Sequence, residues 1–334
     1  MFIVDNYFLA VIFCIITMFC WGSWANTQKL ASKTWSFQLY YWDYAIGVGL
    51  FSLLMGLTLG SNGELGRGFI EDLQQASTTS LSSAFLGGVI FNLANLLIVA
   101  AIDIAGMAVA FPVGIGIALV LGVLINYFAV PVGDPWLLFL GVFLVAVAII
   151  LDALAYQGLS SGKRETPNKG IILSIAGGLL MGFFYRFVAA SMSLDFAYPE
   201  IGLMTPYSAV FVFSMGLLAS NFIWNTIFMY RPLNGDAVSY KDYIREGNTR
   251  LHCIGLLGGV IWCLGMSLNI LASEQAGYAI SYGLGQGATM IAAIWGVFIW
   301  KEFDGASLKI HQLIKWMFIS FVLGLILIIF SRFQ

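Results

Sequence analysis

Long apolar runs constrain this chain more than any other feature of its sequence. A hydrocarbon core of about 30 Å needs about 20 apolar residues when they form a helix. Runs of that length cover 6–26, 38–59, 81–102, 105–129, 136–157, 170–191, 204–229, 252–272, 276–300 and 311–331. They are too long for barrel strands and show no alternation of polar and apolar residues. The sequence therefore predicts an all-α membrane protein with ten transmembrane helices.

The composition leaves almost nothing for a domain outside the membrane. Of the 334 residues, 60% are hydrophobic and only 10% are charged, whereas soluble domains carry roughly 25% charged residues. The formal net charge is -2 and no basic tract is present, so we expect no nucleic-acid partner. Because Asp5 and no basic residue precedes the first run, we interpret that run as a retained helix rather than a cleaved signal peptide.

Two stretches of the chain match each other in register. Leu86-Gly87-Gly88-Val89-Ile90 recurs as Leu257-Gly258-Gly259-Val260-Ile261, and matching residues continue at the same offset. Five helices per half is an odd number, so the two halves would enter the membrane from opposite sides as an inverted repeat. We therefore predict a 5+5 inverted repeat, with a first five-helix repeat at 1–157, a cytoplasmic connecting loop at 158–169 and a second five-helix repeat at 170–334.

The basic residues predict the orientation, because cytoplasmic loops are enriched in Lys and Arg. With the N-terminus outside, the outer side would hold only Arg67 and Arg332. The cytoplasmic side would hold Lys29, Lys33, Lys163, Arg164, Lys169, Arg231, Lys241, Arg245, Arg250, Lys301, Lys309 and Lys315. We therefore expect both termini outside and a multi-pass protein of the cytoplasmic (inner) membrane.

Residues for catalysis or for a metal are not apparent in the sequence. The two histidines are His252 and His311, no Gly-x-Ser-x-Gly motif occurs, and the four cysteines lie in apolar segments without a disulfide or zinc spacing. We therefore predict no enzyme, no catalytic residue, no metal and no cofactor. A duplicated apolar bundle is the usual build of a secondary transporter, whose substrate binds between the repeats. A channel or a membrane receptor is the alternative of another class.

Several stretches resemble the drug/metabolite transporter superfamily. Its Trp-Gly-Ser element is similar to Trp21-Gly22-Ser23, and its Gly-x-x-x-x-x-Glu closing element is similar to the stretch from Gly296 to Glu302. Within the superfamily the chain most resembles the ureide permease branch and its bacterial relatives, with the glucose/ribose porter branch next. The supporting residues are Tyr40-Tyr41-Trp42-Asp43-Tyr44, Gly87-Gly88-Val89 with Asn92, Leu93 and Asn95, and Leu124-Ile125-Asn126-Tyr127-Phe128. The resemblance implies a ten-helix 5+5 inverted repeat that carries sugars, ureides, nucleobases or other small polar solutes.

Polar residues inside apolar runs are candidates for substrate contact, because they are costly in a bilayer. In the ninth run Tyr278, Tyr282, Gln286 and Thr289 are spaced i, i+4, i+8 and i+11, which places them on one face of a continuous helix. Such a face suits a water-filled cavity, and hydrogen bonding between helices is the alternative.

Three asparagines are candidates for hydrogen bonds to the solute. Asn92 and Asn95 lie about one turn apart, and their repeat equivalents are Cys263 and Met266. An amide both donates and accepts, which suits hydroxyls or ureas. Asn269 in the eighth run is the third candidate.

Two tryptophan rings could stack on a planar solute or a sugar, since Trp21 and Trp24 lie near the end of the first run. Phe111 precedes Pro112 in the fourth run, in a segment that we interpret as a flexible, tightly packed part of the moving halves, and it is a further candidate for substrate contact. An anchor at the membrane interface is the alternative for Trp24.

Two charged residues inside the apolar runs complete the candidate site. Asp43 is the candidate for proton coupling, with a helix cap or a pair with Lys29 or Lys33 as the alternative. Arg186 is permanently charged, and it could hold a substrate oxygen or form a gate with Asp195.

Together these observations predict a secondary active transporter of a small polar organic solute, ureide-like or nucleobase-like. We expect proton-coupled uptake by alternating access, with the solute, protons and the lipid bilayer as partners and a monomer as a sufficient assembly. A sugar symporter of the glucose, ribose or rhamnose type and an exporter of metabolites or drugs remain alternatives.

Overall fold

The computed structural model describes residues 1–31, 35–105, 107–159, 168–233 and 235–333, without the side chains at 103, 107–109, 111 and 112. The helices of the first half are α1 (Tyr7–Ser23), α2 (Ala25–Ala31), α3 (Phe37–Leu57), α4 (Phe69–Gln75), α5 (Thr78–Ala105), α6 (Met107–Ala129) and α7 (Pro135–Leu159). Those of the second half are α8 (Asn168–Ala189), α9 (Pro206–Asn221), α10 (Trp224–Tyr230), α11 (Tyr240–Glu246), α12 (Thr249–Ala276), α13 (Tyr278–Gly285), α14 (Ala288–Ile294) and α15 (Leu308–Phe330). A π-helical turn covers Trp295–Ile299, and a 3₁₀ turn covers Ser331–Phe333.

The architecture confirms an all-α, multi-pass membrane protein. Eight helical segments of the described chain are long and apolar enough to cross a bilayer. They are Tyr7–Ala31, Thr78–Ile102, Pro135–Leu159, Asn168–Ala189, Pro206–Tyr230, Thr249–Ala276, Tyr278–Ile299 and Leu308–Phe333. Within the described ranges there is no strand, only an isolated bridge between Met192 and Met204. The count of ten spans, the 5+5 repeat and the outer position of both termini stay predictions.

Three of the predicted spans are interrupted helices rather than continuous ones. The interruptions separate α1 from α2, α9 from α10, and α13 from α14. After α9, the amides of Phe222 and Ile223 donate to the carbonyls three residues back, at 3.3 and 2.9 Å. These i→i−3 hydrogen bonds replace the i→i−4 bonds of a regular helix, so the backbone is more tightly wound at this point.

The chain divides into two compact units, and each unit draws on both halves of the sequence. Unit 1 comprises Met1–Asn92 and Phe184–Gln275, and unit 2 comprises Leu93–Phe183 and Ala276–Gln334. The predicted boundaries at 157 and 170 concern the repeat, which this division does not test.

In unit 1, glycines allow two pairs of helices to approach backbone to backbone. Gly88 on α5 lies against α9, where an added Cβ would be 2.7 Å from the backbone nitrogen of Leu217. Gly259 on α12 lies against α3, where an added Cβ would be 2.7 Å from the backbone nitrogen of Val48. Gly88 and Gly259 are the paired glycines of the sequence repeat, so equivalent residues make equivalent contacts.

The helices on the other side of these contacts, α3 and α9, also carry glycines where the backbones approach. Gly47 on α3 lies against the carbonyl oxygen of Leu256, and Gly216 on α9 lies against that of Phe85. Small residues at both faces allow the close approach that packs helices in a bilayer.

Unit 2 has its own glycine crossing, between α7 and α15. A Cβ added to Gly141 would lie 2.7 Å from the carbonyl oxygen of Gly324, and a Cβ added to Gly324 would lie 2.7 Å from that of Gly141. The two glycines therefore hold this pair of helices in direct backbone contact.

A buried carboxylate fixes the short helix α4 to the segment before α9. Asp72 is fully buried and lies 2.9 Å from Nη1 of Arg67. Its other oxygen accepts from the backbone nitrogen of Thr205 at 2.7 Å and from the hydroxyl of Thr205 at 2.9 Å. Ion pairing and hydrogen bonds to both carboxylate oxygens are what a buried charge requires.

Candidate functional site

Asp43, the candidate for proton coupling, is buried on α3 with its side chain only 4% exposed. The Tyr243 hydroxyl donates to its Oδ1 at 2.6 Å. Nδ1 of His252 lies 3.0 Å from Oδ2 and 3.1 Å from Oδ1. Tyr243 and His252 thus contact the Asp43 carboxylate, and the predicted alternative of a pair with Lys29 stays a prediction. Lys33 lies outside the described residues.

Two further residues of unit 1, Gly255 and Trp35, hold this group in place. Gly255 on α12 lets α3 approach, since an added Cβ would be 2.5 Å from Cβ of Asp43. Trp35 stacks on the Tyr243 ring at 5.7 Å between centroids and meets the His252 ring edge-on at 5.0 Å.

The helix α11, which carries Tyr243, begins with a capping box. The carboxylate of Asp242 accepts from the backbone nitrogen and the hydroxyl of Ser239 at 2.7 and 2.8 Å. These bonds hold the pKa of Asp242 below its ordinary value. Burial, and then the hydrogen bond to Asp43, raise the pKa of Tyr243 above its ordinary value, so the phenol keeps its proton and donates.

An aromatic cluster surrounds Trp262 in the same unit. The Trp21 ring stacks on Trp262 at 6.0 Å and 12°, and its Nε1 donates to the Trp262 carbonyl at 3.2 Å. Phe91 meets the Trp262 ring at 4.5 Å between centroids, and the sequence repeat pairs these two positions. Trp24 contacts the buried ring of Tyr44 at 4.9 Å, so it packs inside the unit.

Two of the predicted asparagines lie in unit 1, both fully buried. Asn92 donates through Nδ2 to the Leu217 carbonyl at 3.2 Å and to the Ser220 hydroxyl at 2.9 Å. Its Oδ1 has no hydrogen-bond partner. Asn269 accepts through Oδ1 from the Tyr185 hydroxyl at 2.8 Å, which fixes the orientation of that amide.

Arg186 lies half-buried near the end of α8, and the gate with Asp195 stays a prediction. No carboxylate in the described part of the chain lies within ion-pair distance of Arg186. Oδ1 of Asp195 instead accepts from the backbone nitrogens of Ala197 and Tyr198, both at 2.9 Å. The Asp195 carboxylate therefore bonds to the backbone of the turn that it begins.

The other candidates lie in unit 2. Tyr282 is fully buried, and its hydroxyl donates to the carbonyls of Ala118 at 3.1 Å and Met181 at 3.3 Å. Tyr278 and Asn95 are also buried. Gln286 follows the last residue of α13. The continuous helical face predicted from Tyr278 to Thr289 is therefore interrupted, and the predicted side chain of Phe111 lies outside the described residues.

Sequence reasoning missed His252, Tyr243 and Trp262. His252 lies at the start of its helix and Tyr243 in a polar connection, so neither carries a local signal for contact with Asp43. For Trp262 a signal exists, because the repeat pairs it with another aromatic residue, Phe91. Across the described residues, no group of three or more His, Cys, Asp or Glu is arranged to hold a metal ion.

Comparison with known proteins places these residues in a family context. The ureide permease family model matches residues 40–169 and 167–331. Ureide permease 4 and ureide permease 1 of Arabidopsis thaliana are 23% and 22% identical to the chain, each over 99% of both proteins. Probable ureide permease A3 of Vigna unguiculata is 24% identical over 90% of this chain and 97% of its own length.

A solved structure shows the same fold at low sequence identity. One protein crystal structure superposes with a TM-score of 0.56 over 97% of both chains, at 13% identity. The family model covers far more than half of the sequence. The chain therefore belongs to the ureide permease family.

Proposed function

We propose that this protein is a secondary active transporter that takes up a ureide or nucleobase-like solute across the cytoplasmic membrane, coupled to protons, by alternating access. The observation that carries the proposal is the family match along nearly the whole chain. The relatives reported above are named ureide permeases, and the eight apolar helical segments suit a membrane carrier.

The substrate site of this proposal lies in unit 1, around the Phe91–Trp262 contact. The matched contacts of Gly88 and Gly259 support an inverted repeat, and transporters of this build bind the solute where the repeats meet. At that point Trp21 and Trp262 offer stacked rings for a planar solute. The unpartnered Oδ1 of Asn92 can accept an N–H. Trp24, Asn95, Phe111, Arg186, Asn269, Tyr278, Tyr282 and Gln286 stay predictions as substrate contacts.

Proton coupling is assigned to Asp43. The titratable groups that face it are His252 on α12, Tyr243 on α11 and Tyr40 on α3. An ionised Asp43 accepts the Tyr243 hydrogen bond and contacts Nδ1 of His252, and hydrogen bonds to a charged group are stronger than neutral ones. Protonating the carboxylate weakens both contacts and loosens α11 from α3 and α12. The charge on Asp43 would thus bias the position of α11, which is the kind of two-state element that a coupling ion must act on.

The experiment is uptake of labelled allantoin or uracil into proteoliposomes under an imposed pH gradient, with and without a protonophore. Wild-type protein is expected to accumulate solute above equilibrium only with the gradient. Asp43→Asn is expected to keep solute exchange but to lose gradient-driven accumulation, whereas Asp236→Asn, in an exposed loop, keeps both.

Two outcomes would contradict different parts of the proposal. Full pH-driven uptake by Asp43→Asn would remove Asp43 from the coupling role and leave the solute class intact. Wild-type protein that neither accumulates nor exchanges any ureide or nucleobase would refute the proposed function itself.

A further inference from the structure

The break between α9 and α10 contains a buried amide that no residue of the described chain satisfies. Asn221, the last residue of α9, is fully buried. Neither its Nδ2 nor its Oδ1 has a hydrogen-bond partner. Buried polar groups in proteins are almost always paired, so an unpaired one needs a specific explanation.

Asn221 directly follows Ser220, which binds another partly unsatisfied amide, that of Asn92. Ser220 and Leu217 take both amide hydrogens of Asn92, which leaves only the Asn92 oxygen open. The reverse orientation of the Asn92 amide would place its oxygen against the Leu217 carbonyl, so the oxygen is the free atom. Asn92 is thus bound to the turn of α9 that ends at Asn221, and the two residues carry two unpartnered acceptor oxygens and one unpartnered NH₂ group.

Helix packing alone does not require these amides. The repeat offset pairs Phe85 with Leu256, and their carbonyls lie against Gly216 on α9 and Gly47 on α3. Gly47 is therefore the structural counterpart of Gly216. Five residues further along each helix, Ser52 is the counterpart of Asn221, and the repeat offset makes Cys263 the counterpart of Asn92. The Ser52 hydroxyl bonds to the Gly49 carbonyl at 2.9 Å and to the Ser214 hydroxyl at 2.6 Å, so protein groups satisfy it. The contact between α12 and α3 is thus the counterpart of the contact between α5 and α9, and it has no amide at these two positions.

We propose that Asn221 and Asn92 together form the hydrogen-bonding subsite for the ureido or imide edge of the solute. The side-chain amide of Asn221 can pair with an N–H and a C=O that lie side by side on a planar group, and the Asn92 oxygen accepts a further N–H. Broken helices supply the polar groups of substrate sites in many transporters, because the interrupted backbone is tolerated where it lines a binding site. This inference rests on the proposed function and names its substrate-recognition residues.

The test is ligand-dependent thermal stability of the purified protein in detergent, titrated with allantoin, with uracil and with glucose. The central variant is Asn221→Leu, which removes the unpartnered amide at similar volume. The matched control is Asn126→Leu, because Asn126 is an equally buried asparagine with an unpartnered oxygen on α6 in unit 2. Asn221→Ser provides a second variant if the leucine protein does not fold.

A substrate role and a structural role predict different results. If the subsite is correct, Asn221→Leu keeps or raises the ligand-free midpoint, because an unsatisfied buried group has been removed. Its apparent Kd for allantoin rises about tenfold or more, as expected from losing a hydrogen-bonding partner in a buried site. Asn126→Leu leaves that Kd within about twofold of wild type, since an asparagine outside the subsite contributes no ligand contact.

Unchanged allantoin affinity in Asn221→Leu, or in Asn221→Ser, would overturn the subsite while leaving the proposed function in place. A larger stabilisation by glucose than by allantoin would also overturn it, because a sugar lacks the paired N–H and C=O. If wild-type protein responds to none of the three compounds and transports none of them, both proposals fail together.

Discussion

Replacing Gly88 by Ala tests whether the close helix contacts of unit 1 hold the fold together. The new Cβ would lie 2.7 Å from the backbone nitrogen of Leu217 and closer still to the Phe213 carbonyl. Ordinary contacts of a Cβ begin at 3.4 Å, so the shortfall at the nitrogen alone is 0.7 Å (3.4 minus 2.7). Both obstructing atoms belong to the backbone of α9 and cannot rotate away. The helices must therefore separate.

The magnitude follows from two opposing effects. Overpacking a tight contact typically costs about 1–3 kcal/mol. In a helix interior, alanine is more stable than glycine by about 0.5–1 kcal/mol, which offsets part of that cost. We expect a net loss of about 1 kcal/mol for Gly88→Ala, which is the difference between the mid-range values of about 2 and about 0.75 kcal/mol. Because its contact with α3 is equivalent, Gly259→Ala should lose a similar amount.

The control is Gly116→Ala on α6, where an added Cβ meets nothing within 4 Å. Only the gain in helix propensity remains there, so this variant should equal or exceed wild type in stability. The assay is the melting midpoint of detergent-purified protein, followed by size-exclusion fluorescence after heating and supported by SDS titration. A Gly88→Ala protein as stable as Gly116→Ala would refute the reasoning.

Two further predictions concern the polar contacts of unit 1. Asp72→Asn should lower the free energy of unfolding by about 3 kcal/mol, because it leaves Arg67 without its buried partner. SDS titration measures the loss, with Asp236→Asn in an exposed loop as the control. Equal stability of the two variants would contradict a stabilising ion pair. Tyr243→Phe should melt below wild type at neutral pH, because it loses the bond to Asp43. The folded-state pKa of Tyr243 lies above its unfolded value, so its stabilisation is complete below about pH 10 and is lost as pH rises. The difference between the melting midpoints of wild type and Tyr243→Phe should therefore narrow above pH 10. A difference that widens above pH 10 would contradict this pH dependence of the Tyr243 contribution.

Part of the candidate site follows directly from the sequence. Asp43 and Asn92 stand out because polar side chains interrupt apolar runs, and both are buried in the structure. The paired glycines at 88 and 259 stand out because the repeat aligns them, and each lies in a backbone contact. These features depend on composition and spacing, which a sequence states explicitly.

The partners of these residues do not follow from the sequence. His252 and Tyr243 are distant from Asp43 along the chain, and only the packing of α3, α11 and α12 brings them to the carboxylate. The bonds between the Asp195 carboxylate and the backbone of its own turn do not follow from the sequence either.

The chain's sequence by itself determined an all-helical membrane protein, because apolar length decides which segments enter a bilayer and does so segment by segment. Tertiary structure alone decided where the helices break, which faces meet and which amides stay unsatisfied. The interruption after Asn221 is one example, since hydropathy does not change there while the backbone bonding does. Hydropathy is a property of each segment, whereas helix rotation and pairing depend on contacts between segments far apart in the chain.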